Sequence, residues 1–229
     1  MISGCFFDPI DYMGALMHDA TTPVSHFKFA IAPGVSSPLL SKLLALQRAE
    51  EPEVAMAFFE VTGGDLVTGV REGRYDAGMS FEGLSDPFLS SRPLWSENMA
   101  VAMPLRFPLL HQPTLTTAEL RDYSVFRWQA EACPLLDQRL SSFPQESQQN
   151  IQHMTSFELL ALWVAAGYGV GLSAQSRIEQ AQGAGITMRP LSDGPYEIVT
   201  HLHRPQGVPN SVSDRFERRA LQIVKAGTA

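Results

Sequence analysis

The stretch that decides the fold is residues 26–81, which read HFKFAIAPGVSSPLLSKLLALQRAEEPEVAMAFFEVTGGDLVTGVREGRYDAGMSF. Alternating apolar residues over 27–32 predict a β-strand. Leucines spaced three and four residues apart after Pro38 predict a helix that ends before the next apolar run. Apolar runs over 54–61 and 77–81, with a helix between them, complete a β-α-β-α-β order. This order is typical of a parallel sheet with crossover helices.

A second unit of the same kind follows, because apolar runs and helix-start signals alternate again. The predicted strands cover 99–103, 124–126, 148–154, 170–173 and 186–189, and the predicted helices cover 134–140, 155–167 and 174–182. A last strand over 196–203 and an amphipathic helix over 211–224 end the pattern.

Two α/β units of similar size, joined by strands near residues 100 and 197, predict two lobes with a cleft between them. We expect lobe I to comprise residues 26–99 plus 197–229 and lobe II to comprise residues 100–196. Residues 1–25 differ in character from the rest and are interpreted as an N-terminal arm.

Composition excludes several classes of protein. The 229 residues carry 17 Lys and Arg against 24 Asp and Glu, a formal net charge of −7, so a broad phosphate-binding surface is not expected. The two cysteines, Cys5 and Cys133, make neither a disulfide framework nor a cysteine-rich zinc site. No basic stretch followed by an apolar run begins the chain, and no apolar run is long enough to cross a membrane. We therefore expect a cytoplasmic protein.

Two predicted helix starts combine hydroxyl side chains with unpaired backbone N–H groups. Ser36 and Ser37 precede the helix at Pro38, and Thr155 and Ser156 begin the helix over 155–167. A helix N-terminus carries a partial positive charge, so two facing starts could hold a carboxylate or another anion between them. The same residues make good N-caps, and Thr155 has capping-box spacing to Glu158. The spacing alone leaves both interpretations open.

Weaker candidates for the cleft are Thr62, Gly63, Phe81, Met103, Arg127 and His153. Arg127 follows a short strand and could pair with an anion bidentately, although a surface arginine fits the same pattern. A lone histidine such as His153 is more often a structural residue. His201 and His203 share one face of a strand, but no third ligand follows at a metal-binding spacing. No nucleophile, base and orienting group come together, so we predict no catalytic residue, no cofactor and no metal.

Three blocks of sequence together resemble the effector-binding domain of LysR-type transcriptional regulators. They are FKFAIAPGVSSPLLSKLLALQRAEEPEV at 27–54, LVTGVREGRYDAGMSF at 66–81 and MTSFELLALWVAAGYGVGLSAQS at 154–176. The resemblance covers about 26–224 and implies an α/β fold of two Rossmann-like lobes around a ligand cleft, like the type 2 periplasmic binding proteins. It also implies that the helix starts at Ser36 and at Thr155 line the effector pocket.

The resemblance further implies a homodimer or tetramer. In this family the domains pair side by side and antiparallel, here through the helix over 39–50 and the helix over 130–140 or its neighbour. The expected partner is a small effector, with the signal transmitted through dimer packing. Family members also carry an N-terminal helix-turn-helix, through which alone DNA would be bound, and this sequence shows none.

The chain is therefore expected to be either the sensor half of a regulator or a free-standing sensor that regulates a partner protein. A solute-binding protein shares the architecture but needs a secretion signal. An enzyme on this architecture needs a catalytic set that the motifs do not supply.

Overall fold

The computed structural model describes residues 26–35, 37–128, 133–207 and 210–227. The strands are β1 (His26–Ile31), β2 (Ala55–Glu60), β3 (Ala77–Ser80), β4 (Leu89–Pro104), β5 (Val125–Trp128), β6 (Ile151–Met154), β7 (Val170–Ala174), β8 (Ile186–Pro190) and β9 (Glu197–Pro205). The helices are α1 (Pro38–Glu50), α2 (Gly63–Arg71), α3 (Pro134–Ser141), α4 (Gln145–Gln148), α5 (Phe157–Ala165), α6 (Gln175–Gln180) and α7 (Ser211–Gly227). Short 3₁₀ turns lie at Pro108–His111, Thr117–Leu120 and Gln182–Ala184. The predicted arm over 1–25 and the candidate Ser36 lie outside the described residues.

The strands follow one another in the order β2-β1-β3-β9-β4-β7-β5-β6, with β8 paired to β4. In the first half of this sheet β1 pairs in parallel with β2 and β3, as expected of β-α-β units. In the second half β5 pairs in parallel with β6 and β7. The antiparallel strands β9 and β4 join the two halves. The predicted fold class, α/β with two Rossmann-like units of the type 2 periplasmic-binding-protein kind, is confirmed.

Strand β4 is longer than the sequence predicted, because it starts at Leu89 rather than near residue 99. Its first part pairs with β9 and contains Pro93, where the register shifts before Trp95. Proline lacks an N–H and is tolerated in a sheet at such irregularities. Because a proline usually argues against a strand, the sequence pattern did not predict this part of β4. Its second part pairs with β7 and β8. The division of the chain into lobes at residues 99 and 197 stays a prediction.

The core of the first half is built around aromatic residues of β1 and α7. The ring centroids of Phe27 and Phe29 lie 5.1 and 5.0 Å from that of Phe216, and all three side chains are fully buried. Burying a side chain of this size contributes about 1.5–3 kcal/mol, so the contact fixes α7 against the sheet. Two further clusters of buried side chains cover the two faces of the second half.

The helix starts are capped largely as predicted, with one correction. The hydroxyl oxygen of Ser37 accepts a hydrogen bond from the Leu39 N–H at 3.1 Å, as expected of an N-cap. The box predicted from Thr155 to Glu158 does not form. Helix α5 starts one residue later, with Ser156 as N-cap accepting from the Leu159 N–H at 3.2 Å. None of the helices that the structure describes is long and apolar enough to cross a membrane.

Candidate functional site

The candidate site is a cavity of about 790 Å³ where the two halves of the sheet face each other. One wall consists of the turn after β1 and the end of β2, including Phe58, Phe59 and Glu60. The other wall consists of Trp128 at the end of β5 and the first residues of α5. The carboxyl ends of parallel strands from both halves therefore open into one cavity, the usual position of ligands in α/β folds.

A second cavity of about 390 Å³ continues the first, because the two share Ala32, Pro33, Trp128 and Thr155. We refer to the two cavities together as the cleft. The second cavity adds Thr62 and Gly63 at the start of α2 and the residues that end β3, Ser80, Phe81 and Glu82.

The structure brings half of the predicted site residues into the cleft. Thr155 and Ser156 line it from α5, and Thr62, Gly63 and Phe81 line it from the opposite side. Ser37 is buried and caps α1, and it does not line either cavity.

Three predicted site residues lie elsewhere. Met103 is fully buried in the core, because the second part of β4 lies between β7 and β8. Arg127 forms an ion pair with Asp137 of α3, and His153 is exposed on the last strand of the sheet. These two residues pair with each other across β5 and β6.

The next pair along these strands, Trp128 and Met154, faces the cleft instead. Successive side chains of a strand point to opposite faces. A shift of one residue therefore exchanges an arginine–histidine pair for an aromatic–thioether pair in the site. The Trp128 indole N–H donates to the backbone oxygen of Thr155 at 3.2 Å, which ties β5 to the start of α5.

Arg177 is the site residue that sequence reasoning missed. It lies on α6, is only 9% exposed and lines the larger cavity. Its Nη2 donates to the backbone oxygen of Gly34 at 2.8 Å, and its guanidinium lies 4.0 Å from the Trp128 ring centroid and 5.4 Å from that of Phe157. In the sequence, the one feature that could have indicated Arg177 as a site residue is its position in the first turn of a helix that directly follows a buried strand. A planar guanidinium that is held against aromatic rings is suited to binding a carboxylate.

Behind Arg177 lies a second ionisable group, Glu97 of β4. The Ser176 hydroxyl donates to its Oε2 at 2.6 Å. Burial raises the pKa of Glu97, and the Ser176 hydrogen bond and the nearby Arg177 charge oppose that rise. The positive charge of Arg177 is therefore partly balanced from outside the cavity.

Ser80, which lines the smaller cavity, contacts a buried histidine behind it. The Ser80 hydroxyl oxygen lies 2.8 Å from Nε2 of His203, which is fully buried. Burial and the neighbouring His201 lower the pKa of His203 to about 4, so the imidazole is neutral near pH 7. Across the described ranges, no three His, Cys, Asp or Glu side chains come together as a metal site.

The sequence family described as the LysR substrate binding domain matches residues 20–220 of this chain. The chain belongs to this family. The prediction made from the three sequence blocks is therefore confirmed. The family consists of regulatory ligand-binding domains rather than enzymes.

Solved structures of LysR-type regulators share the fold of this LysR substrate-binding domain. Full-length BenM superposes with a TM-score of 0.78 at 19% identity, covering 90% of this chain and 70% of that one. The BenM effector binding domain with its effector benzoate gives 0.76 at 19% identity over 89% and 94%. The effector binding domain of QuiR in complex with shikimate gives 0.74 at 13% identity over 89% and 99%. No curated protein sequence matches the chain.

Proposed function

We propose that this LysR substrate-binding domain is the sensor of a transcriptional regulator and binds a small effector in the cleft, through a carboxylate or another anionic group. The observation that carries the proposal is the meeting of Arg177 with the N-terminus of α5 in one cavity. Thr155, Ser156 and the first N–H groups of α5 offer donors there, and Arg177 adds a positive charge. Trp128 and Phe157 provide apolar surface for the body of the ligand.

The solved relatives support this chemistry, because benzoate and shikimate are both carboxylates. Isothermal titration of the chain with these two compounds tests the proposal directly. We expect saturable binding of at least one, weakened about tenfold or more when Arg177 is replaced by glutamine. A folded protein that binds neither them nor any other small organic ion would contradict the proposal.

We further propose that effector binding changes the packing of a dimer. Strands β2 and β6 end the sheet order, so each leaves one edge unpaired within the described chain. Helix α3, which precedes β6 along the chain, exposes Leu135 (55%). An antiparallel dimer would place α1 and β2 of one copy against α3 and β6 of the other and cover both edges.

A ligand can drive this change only if it favours one arrangement of the two halves. Sedimentation velocity with and without a bound effector measures the dimer. Small-angle scattering measures the accompanying change of shape. An effector that binds without altering either quantity would contradict transmission through the dimer.

A further inference from the structure

We infer that the effector carries a cationic ammonium group in addition to its anionic group. The inference rests on the proposed function, because it concerns the ligand of the same cleft. It follows from the charges and aromatic surfaces of the cleft walls, and it narrows the ligand class to zwitterions such as amino acids.

The described side chains that line the cleft carry more negative than positive charge. Among the described residues that line the two cavities, the charged side chains are Glu60, Glu82, Glu158 and Arg177. The three carboxylates make no ion pair or hydrogen bond with another described side chain, and each is exposed. A ligand with only negative charge would therefore meet three like charges and one opposite charge.

The single cation among these lining residues is already engaged. Arg177 donates to Gly34, stacks on Trp128 and lies near the Glu97 charge on β4. It can accept one anionic group of a ligand, but it does not neutralise the three glutamates on the walls. A cleft lined by one sign of charge concentrates counter-ions of the other sign, so these walls favour a positive group.

Aromatic rings line the same cavity as two of these carboxylates, Glu60 and Glu158. Phe58 and Glu60 lie two residues apart on β2 and therefore project from the same face of the strand. Phe59, which is 37% exposed, also lines the cavity and packs against Tyr75 with ring centroids 5.2 Å apart. An aromatic face next to a carboxylate is the arrangement that binds ammonium groups, through cation–π attraction and charge.

The two kinds of group occupy opposite walls of the larger cavity. The anion donors are Arg177 and the N-terminus of α5, and the cation acceptors are Glu60 and Phe58 on β2. A zwitterion would satisfy both walls at once, whereas a simple carboxylate leaves the β2 wall without a partner.

Matched compounds test the inference. L-Phenylalanine, 3-phenylpropanoate and 2-phenylethylamine share a phenyl-ethyl skeleton. The first carries both the carboxylate and the ammonium group, the second only the carboxylate and the third only the ammonium group. L-Norvaline, pentanoate and butylamine form the same series on an aliphatic skeleton. Binding of all six, together with benzoate and shikimate, is measured by isothermal titration at low ionic strength. We expect the zwitterion of at least one series to bind about tenfold or more tightly than its carboxylate-only partner.

Variants then connect that preference to the β2 wall. In Glu60→Gln the preference for the zwitterion is expected to fall to about threefold or less, because the carboxylate that faces the ammonium group is removed. Glu53→Gln is the control, since Glu53 is exposed and lines neither cavity. Thermal unfolding of each variant shows that it is folded.

Each outcome decides something. If carboxylates bind as tightly as their zwitterions, or if only benzoate or shikimate binds, the inference is overturned and the proposed function stands. If the amine-only compounds bind most tightly, the cationic group is supported and the anionic part of the proposed function is wrong. If the folded protein binds none of the eight compounds, the proposed function and the inference fall together. An equal loss of preference in Glu53→Gln would also overturn the role of Glu60.

Discussion

The guanidinium of Arg177 lies over the ring of Trp128, with 4.0 Å between its central carbon and the ring centroid. Arg177 follows β7 and Trp128 ends β5, and the two strands are parallel neighbours in the sheet. The same guanidinium donates to Gly34 in the turn after β1. One side chain thus joins the second half of the sheet to the first, across the cleft that we propose as the effector site.

Replacing Arg177 by lysine should weaken effector binding although the charge is retained. Lysine has no planar fork, so it loses the stacking on Trp128 and any bidentate contact with a carboxylate. We expect an increase of about tenfold in the dissociation constant of a bound carboxylate, measured by titration calorimetry. Arg106→Lys, at an exposed position outside the cleft, is the control and should leave binding unchanged.

Glu51 should make the free energy of unfolding depend on pH under acidic conditions. It lies between α1 and α7, where it accepts hydrogen bonds from Gln47 and Arg215 and forms an ion pair with Arg219. Burial alone would raise the pKa of Glu51, but the hydrogen bonds from Arg219, Gln47 and Arg215 outweigh it and lower the pKa from 4.5 to about 2. The charged form is therefore favoured by folding.

The stabilisation by Glu51 is fully present above pH 4.5 and is lost as the pH falls from 4.5 towards 2. It amounts to about 3 kcal/mol in the free energy of unfolding. Urea unfolding of the wild type and of Glu51→Gln at pH 6 and pH 3 measures it as the difference between the two proteins. Glu53→Gln is the control at an exposed site two residues away. A Glu51→Gln protein as sensitive to acid as the wild type would contradict the prediction.

His203 should remain neutral well below pH 6.5. Burial and the neighbouring His201 lower its pKa to about 4, so the unfolded chain binds a proton at a pH where the folded protein does not. The contribution of His203 to stability is therefore complete above pH 6.5 and declines as the pH falls from 6.5 to about 4, by up to about 3 kcal/mol. Nitrogen-detected NMR of the imidazole rings checks this without a substitution. An imidazolium signal for His203 at pH 5.5 would show that the prediction is wrong.

The proposed dimer predicts that a charge introduced at two exposed leucines has different effects on the dimer dissociation constant. Leu135 lies on α3, at the surface that we expect to pair, and Leu105 lies in the loop after β4 with 62% of its surface exposed. Leu135→Glu places a charge in the interface and should raise the dimer dissociation constant about tenfold or more. Leu105→Glu should leave it unchanged. Analytical ultracentrifugation distinguishes the two results, and equal behaviour of both variants would place the interface elsewhere.

Much of the fold could be predicted from the sequence because its patterns are local. The strands and helices from β1 to β3 follow from apolar periodicity and from the residues that start and end each helix. The start of β4 at Leu89 could not be predicted, since Pro93 and the neighbouring polar residues interrupt the alternation. What makes that segment a strand is its pairing with β9, more than a hundred residues away along the chain.

Of the two predicted helix starts, the structure places that of α5 at the cleft, whereas Ser37 at the start of α1 lines neither cavity. Thr155 and Ser156 occupy the start of a strongly patterned helix, and they line the cleft. Trp128 and Met154 line it in place of Arg127 and His153, because the face of a short strand depends on which neighbours it packs against. Arg177 contacts Gly34 across 143 positions of sequence, and no local pattern encodes such a contact.

The passage of β4 through both halves of the sheet has a mechanical consequence. Its hydrogen-bonding partner changes from β9 to β7 and β8 between Asn98 and Met99, and there the Met99 N–H donates to the Tyr196 oxygen at 2.7 Å, just before β9 begins. The two strands that join the halves of the sheet, β4 and β9, thus meet at one point. A rotation of one half against the other can be absorbed by backbone torsions of a few residues at that point, while the hydrogen bonds on either side stay intact. For any rotation of one half against the other, the position of the axis would therefore be fixed by strand pairing rather than by a loose linker.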